Sequence, residues 1–332
     1  MKFLKFVVDY ENQTEIWESH ADEGLSQFLA SQFKLPEPQQ MAIFALTLSL
    51  DPPEKTSVAY ALPRIARHLT SIGVFGPGFG AVVPKWGGGA EIAQVACRAG
   101  AVGGGVYVLG TGLKDVNVRD EDSGIECVLS NGETVKTKSL LRTANPGEST
   151  PGAVVVSKTV SIVSSQFASI FTTTVEGAPT AAVSVVVFLA NTLSVDGTSQ
   201  AHPVYLMVHS SETGECPAGQ SVIYASTLQT SSGDTLLQAA VSAFIESSGD
   251  QNTRVLYRLY YEQNRSTSVP KSQGLIYDLR DPSLDLAFDD AILDEVEASW
   301  KVTRQNIGEQ EPAVFLKFEE RNEMNGDDDD SY

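Results

Sequence analysis

The chain has 332 residues, 42% of them hydrophobic, and a formal net charge of −19. That length and apolar content allow a sizeable core and about two domains. So acidic a balance excludes nonspecific binding to nucleic acid or to an anionic membrane, which demands clustered Lys and Arg. Cys97, Cys127 and Cys216 are odd in number and far apart, fitting neither a disulfide framework nor a metal spacing. No apolar run approaches the roughly 20 residues that span a bilayer, and Met1 to Tyr10 breaks its apolar pattern with Lys2, Lys5 and Asp9, unlike a signal peptide. These features point to a reducing compartment, and the cytosol is expected.

Residues 1 to about 75 read as helical. Phe3, Phe6, Val7 and Tyr10 recur at helical spacing, then Leu25, Phe28, Leu29 and Phe33, then Met41, Phe44, Ala45 and Leu48, with Pro36, Pro38, Pro52 and Pro53 between them. A further helix over 56–72 carries Pro63, which is expected to kink it or shift its start. On pattern alone these apolar residues are the core of a helical subdomain.

The stretch from Pro84 to Leu109 is the most informative. Two glycine clusters, Gly87 to Gly89 and Gly103 to Gly105, bracket one short helix and let the backbone turn tightly at both ends. Ile92, Val95, Ala96 and Ala99 are expected to pack inward, with Cys97 buried in the apolar portion. Glu91 and Arg98, seven residues or about two turns apart, share another face. A strand is expected over Val106 to Leu109. One reading is a plain helix-strand corner. Another is a phosphate cradle, which the run supports poorly, since it lacks the Lys-Ser/Thr ending of a P-loop and a preceding dinucleotide-type strand. The segment Gly110-Thr111-Gly112 resembles a dinucleotide turn, but Lys114 to Val118 alternates like a strand, so a hairpin with 106–109 is expected.

Beyond residue 104 the pattern is mostly β. Strands are expected at 125–129 and 134–138 around the hairpin signal Asn131-Gly132, then at 160–165, 182–189, 204–209, 222–226 and 254–261. Val183 to Leu189 is nearly continuously apolar, as in a strand covered on both faces. Helices over 235–247 and 289–303 are expected to pack on this sheet. The Ser-, Thr- and Gly-rich loops 191–200 and 266–273 read as solvated or mobile, and Met324 to Tyr332, with Asp327 to Asp330 in a row, as a disordered acidic tail. His20, His68, His202 and His209 form no metal-binding pair, and no GxSxG elbow or His-Asp constellation supports acyl transfer.

The run from Pro84 to Leu109 resembles the signature region shared by Rab escort proteins and Rab GDP dissociation inhibitors. Upstream, Met1 to Phe6 resembles the start of that family's helical domain, and Arg64 to Gly73 the helix leading into the signature. Downstream, Lys158 to Val163 and His202 to His209 resemble strands of the escort branch. The sequence departs from the family in Ala90, between Gly89 and Glu91, and in Gly103 at a usual aromatic. It also starts after the family's N-terminal strand, Gly-rich turn and helix, which suggests a truncated reading frame or fragment in preference to a genuine shortened relative.

The resemblance implies an α/β (mixed α+β) fold: a sheet domain of the GDP dissociation inhibitor kind, related to FAD oxidoreductases and here incomplete, with a helical second domain. The implied division is 1–75 helical, 76–318 sheet domain with the Rab-binding platform, and 319–332 acidic tail. It implies a noncatalytic escort protein without cofactor, which binds GDP-form Rab GTPases, presents them to the Rab geranylgeranyl transferase heterodimer and carries the lipidated product through transient membrane contact. Carried over, Glu91, Arg98, Val106 and Val108 would bind Rab. Leu25, Phe28, Leu29, Met41, Phe44 and Leu48 would line a geranylgeranyl groove, and Arg64 and Arg67 would face the transferase. A GDP dissociation inhibitor is the near alternative. A fragment resembling FAD-dependent amine oxidases or desaturases, suggested by the same glycines, is the enzymatic one, although the FAD turn is not in this sequence.

Overall fold

A computed structural model describes residues 2–78, 82–84, 88–118, 124–143, 153–173, 176–177, 180–250, 252–265, 271–281, 283–287, 290–309, 311 and 313–316. Gly87, the loop residues 266–270 and the acidic tail lie outside the described residues. The chain forms two compact units, one of residues 1–108, 149–267 and 283–288, the other of 109–148, 268–282 and 289–332. The helical segment therefore shares a unit with the main sheet, a division that differs from one at residue 75.

In the first unit, helices α1 (Lys2–Val7), α2 (Thr14–Trp17), α3 (Leu25–Phe33), α4 (Glu37–Ala45) and α5 (Val58–Thr70) form a helical layer. Its core joins Phe3, Phe6, Leu25, Phe28, Leu29, Phe44, Leu62 and Ile65. Each fully buried side chain of this kind contributes about 1.5–3 kcal/mol. Helix α5 starts where the Ser57 side chain accepts from the Tyr60 N–H, and it runs on through Pro63.

The same unit holds a five-stranded antiparallel sheet in the order β11-β5-β10-β9-β6: β5 (Val154–Val163), β6 (Val183–Phe188), β9 (Val204–Ser210), β10 (Ser221–Leu228) and β11 (Val255–Arg265). Helix α7 (Gly233–Ser247) packs its Leu236, Leu237, Ala240, Val241 and Phe244 on one face, against Val163, Val204, Leu206, Val208, Ile223 and Ala225. Alternation along β9 sends Tyr205 and His209 to the other face. There Tyr205 is fully buried, packs with Leu50, Val156 and Leu284, and donates its hydroxyl to the Ser49 carbonyl of the helical layer at 2.7 Å.

One expectation fails here. Strand β6 is an edge strand, half-buried with Val185 45% exposed, so its apolar run is not a sign of cover on both faces. The loop at 191–200, mostly solvent-exposed as expected, carries a short hairpin, β7 (Ser194–Val195) with β8 (Thr198–Ser199). The buried Gln200 pins it, accepting from the Leu193 N–H at 2.6 Å and donating to the Leu189 carbonyl at 2.7 Å.

The second unit contains β1 (Leu113–Val118), β2 (Ile125–Leu129) and β3 (Thr134–Thr137) as one antiparallel sheet, with the Asn131-Gly132 turn joining the last two. Strand β1 pairs with β2 and not with 106–109, which corrects the expected hairpin; residues 106–108 belong to no strand and pair with none among the described residues. A second sheet orders β12 (Lys271–Gln273), β13 (Ile276–Leu279) and β4 (Leu140–Thr143), the last two parallel. Helix α8 (Ala291–Asn306) belongs to this unit. Among the described residues no helix is long and apolar enough to cross a membrane.

Candidate functional site

The glycine-bracketed helix is α6 (Gly89–Val102). Ala90, Ala93, Ala96, Ala99 and Ala101 give it high intrinsic propensity, and its two ends fix its limits. At the start, Gly88 is buried with φ 58° and ψ −142°, a conformation essentially reserved for glycine. At the end, Gly104 (φ 90°) donates to the Ala101 carbonyl at 3.0 Å and Gly105 to the Gly100 carbonyl at 2.8 Å, the paired bonds of a Schellman cap. The chain then doubles back, and the Tyr107 hydroxyl lies where a Cβ on Gly100 would meet it.

Between those ends no side chain of α6 is buried. This corrects the expected inward stripe: Ile92 is 58% and Val95 66% exposed, and Cys97 is exposed as well. Among the described residues no element covers that stripe, so the helix rests on its ends and its propensity. Glu91 is half-buried near the first turn and Arg98 exposed, about 10 Å further along the axis. Neither enters an ion pair among the described residues. Val106, at 86%, and Val108, at 55%, extend the exposed surface on backbone that pairs with no strand among the described residues. The arrangement offers a cation, a carboxylate and apolar side chains on one small framework.

The start of α6 meets a half-buried polar cluster that sequence patterns did not reveal. A Cβ on Gly88 would lie 2.6 Å from Glu215 Oε1. The other oxygen, Oε2, accepts from Tyr224 Oη at 3.2 Å and lies 2.8 Å from His209 Nδ1. The His209 ring meets the Tyr224 ring edge-on, with centroids 5.0 Å apart. Burial, and then the Glu215 charge, push the Tyr224 phenol up to about 12. Glu215 follows Gly88 by 127 positions, so no local spacing joins them.

Leu25, Phe28, Leu29 and Phe44 are fully buried in the helical core, while Met41 and Leu48 are half-buried, so in this conformation the six residues do not form an open groove. Close packing of α3 and α4 on α5 is the reason. Arg64 is largely buried, 3.3 Å from Asp285 and stacked 3.6 Å over the Tyr60 ring, whereas Arg67 is exposed. Near them a cleft of about 310 Å³ is lined by apolar Leu50, Val154, Leu228 and Leu284 and by Lys55 and Arg265; none of the six groove candidates lines it.

No protein-family model matches the chain. It is 46% identical over 118 residues to the Rab proteins geranylgeranyltransferase component A of Saccharomyces cerevisiae, and 30% identical over 241 residues, 69% of this chain, to the protein of that name from Candida albicans. These matches make the chain similar to proteins of the Rab escort protein and Rab GDP dissociation inhibitor family. The matched portions make up 19% and 35% of those two relatives' own lengths. The fold agrees: a Rab GDI from Plasmodium falciparum superposes with a TM-score of 0.60 over 94% of this chain and 66% of its own, at 15% identity. The mixed α/β architecture, with helical and sheet elements both present, is that of this family.

Proposed function

We propose that the chain acts as a Rab escort protein: a noncatalytic accessory that grips GDP-bound Rab, presents it to the geranylgeranyl transferase heterodimer and shields the lipidated product on its way to membranes. The observation that carries the reading is α6, a helix framed at both ends that holds Glu91 and Arg98 outward with no ion-pair partner among the described residues. Val106 and Val108 add apolar contact beside it. The names of the two fungal relatives support the transferase as the second partner.

A geranylgeranyl chain would enter the helical layer by parting α3 and α4 from α5, with half-buried Met41 and Leu48 at the opening and Leu25, Phe28, Leu29 and Phe44 freed as lining. Each methylene-like group transferred into such a slot contributes about 0.8 kcal/mol, enough in sum to compete with a membrane. Arg67 is exposed and would face a docking transferase; Arg64 acts through its bond to Asp285 in holding the layer. The protein works in the cytosol and touches membranes only to deliver its cargo.

Pull-down of the transferase heterodimer in the presence of GDP-bound Rab tests the reading. Capture supports an escort protein. Extraction of prenylated Rab from vesicles without transferase capture would instead assign a GDP dissociation inhibitor.

A further inference from the structure

The exposure of α6 raises the question of what fixes its direction. Its side chains contribute no burial, and its N-terminus has no side-chain cap. What the start of the helix does meet is a carboxylate, at the end of a helix that carries partial positive charge. That carboxylate is itself held: Glu215 is only 14% exposed, and its second oxygen is engaged by His209 from β9 and Tyr224 from β10. It cannot swing away from Gly88 without giving up both contacts. Alternation along β9 places His209 on the face that also carries Tyr205, about 13 Å along the strand. One face of one strand thus holds the helical layer at Tyr205 and the start of α6 through His209.

We propose that Glu215 is the positioning residue of α6: seated on His209 and Tyr224, its carboxylate fixes where the helix begins, and so where Glu91 and Arg98 stand. This rests on the reading of α6 as the Rab platform. Glu215 does not touch the bound partner; it acts through Gly88.

Hydrogen exchange by mass spectrometry on the full chain, wild type against Glu215→Gln, Glu215→Ala and Gly88→Ala, tests the assignment without any partner. Glu215→Gln keeps the shape and removes the charge, and Gly88→Ala disturbs the contact from the other side. In all three, α6 amides should exchange at least about tenfold faster, while β9 and β10 stay within about twofold of wild type. Unchanged α6 exchange in Glu215→Gln and Glu215→Ala would overturn the proposal. So would acceleration spread equally over β9 and β10, the mark of a merely structural residue. Titrating the same proteins with GDP-bound Rab separates the two claims. Faster α6 exchange with weaker binding supports both, and faster exchange with unaltered binding upholds the positioning role and overturns the platform reading.

Discussion

Helix α5 has 13 residues and buries Val58, Ala61, Leu62, Ile65 and Ala66; α6 has 14 and buries none. Both lie in the same compact unit, yet they are held by opposite means. The first is specified by tertiary packing, and its apolar spacing can be read as core. The second is specified by alanine content, a glycine start, a Schellman end and one carboxylate, which leaves its apolar residues free to meet something else. The same 3.6-residue periodicity in sequence therefore has two meanings, and only the surroundings distinguish them.

The contrast is broken most easily at the core. Leu62→Ala should cost about 2–5 kcal/mol in chemical denaturation, since it empties a fully buried site, whereas Val95→Ala on α6 should change stability by no more than about 0.5 kcal/mol. Equal losses would show that α6 is packed after all. Next in size, Tyr205→Phe removes the hydroxyl that donates to the buried Ser49 carbonyl and should cost about 1–3 kcal/mol, read as a lower denaturation midpoint.

Gly104→Ala sharpens the comparison from the other side. Its φ of 90° strains any side chain, so the variant should fray the end of α6 at a cost of about 1–2 kcal/mol, seen as faster exchange at 100–105 while α5 stays protected.

The smallest effect is expected far from either helix. Ser165 Oγ donates to Asp250 at 2.6 Å, and that hydrogen bond holds the Asp250 carboxyl below the ordinary carboxylate range. A depressed folded value means stability that is present above the unfolded value of about 4 and lost as pH falls through the folded one. Ser165→Ala should therefore lower the melting temperature slightly at neutral pH, with the difference from wild type closing in acid.

Much of the fold was legible in the sequence where local chemistry decides it. The turn at Asn131-Gly132, the strands around Val160, Val204 and Val222, and the periodicity of α5 and α7 follow from spacing and turn residues. What was hidden depended on neighbours. The apolar run of β6 says nothing of its place at the sheet edge, and Val106 to Val108 reads as a strand but finds no partner. The pairing of β4 with β13 joins segments 136 positions apart, and the contact of Gly88 with Glu215 spans nearly as many. At the candidate site, the helix, its acid and its base were visible, while the cluster that seats them was not. In the sequence, His209 marks the end of a strand and belongs to no metal-binding pair, and nothing there joins it to Glu215 or Tyr224.

The most direct test is calorimetric titration of GDP-bound Rab into the chain and its Glu91→Ala and Arg98→Ala variants. Each substitution is expected to weaken binding by about tenfold or more, equivalent to about 1.4 kcal/mol, with stability unchanged within about 0.5 kcal/mol. Affinities equal to wild type in both variants would contradict the account.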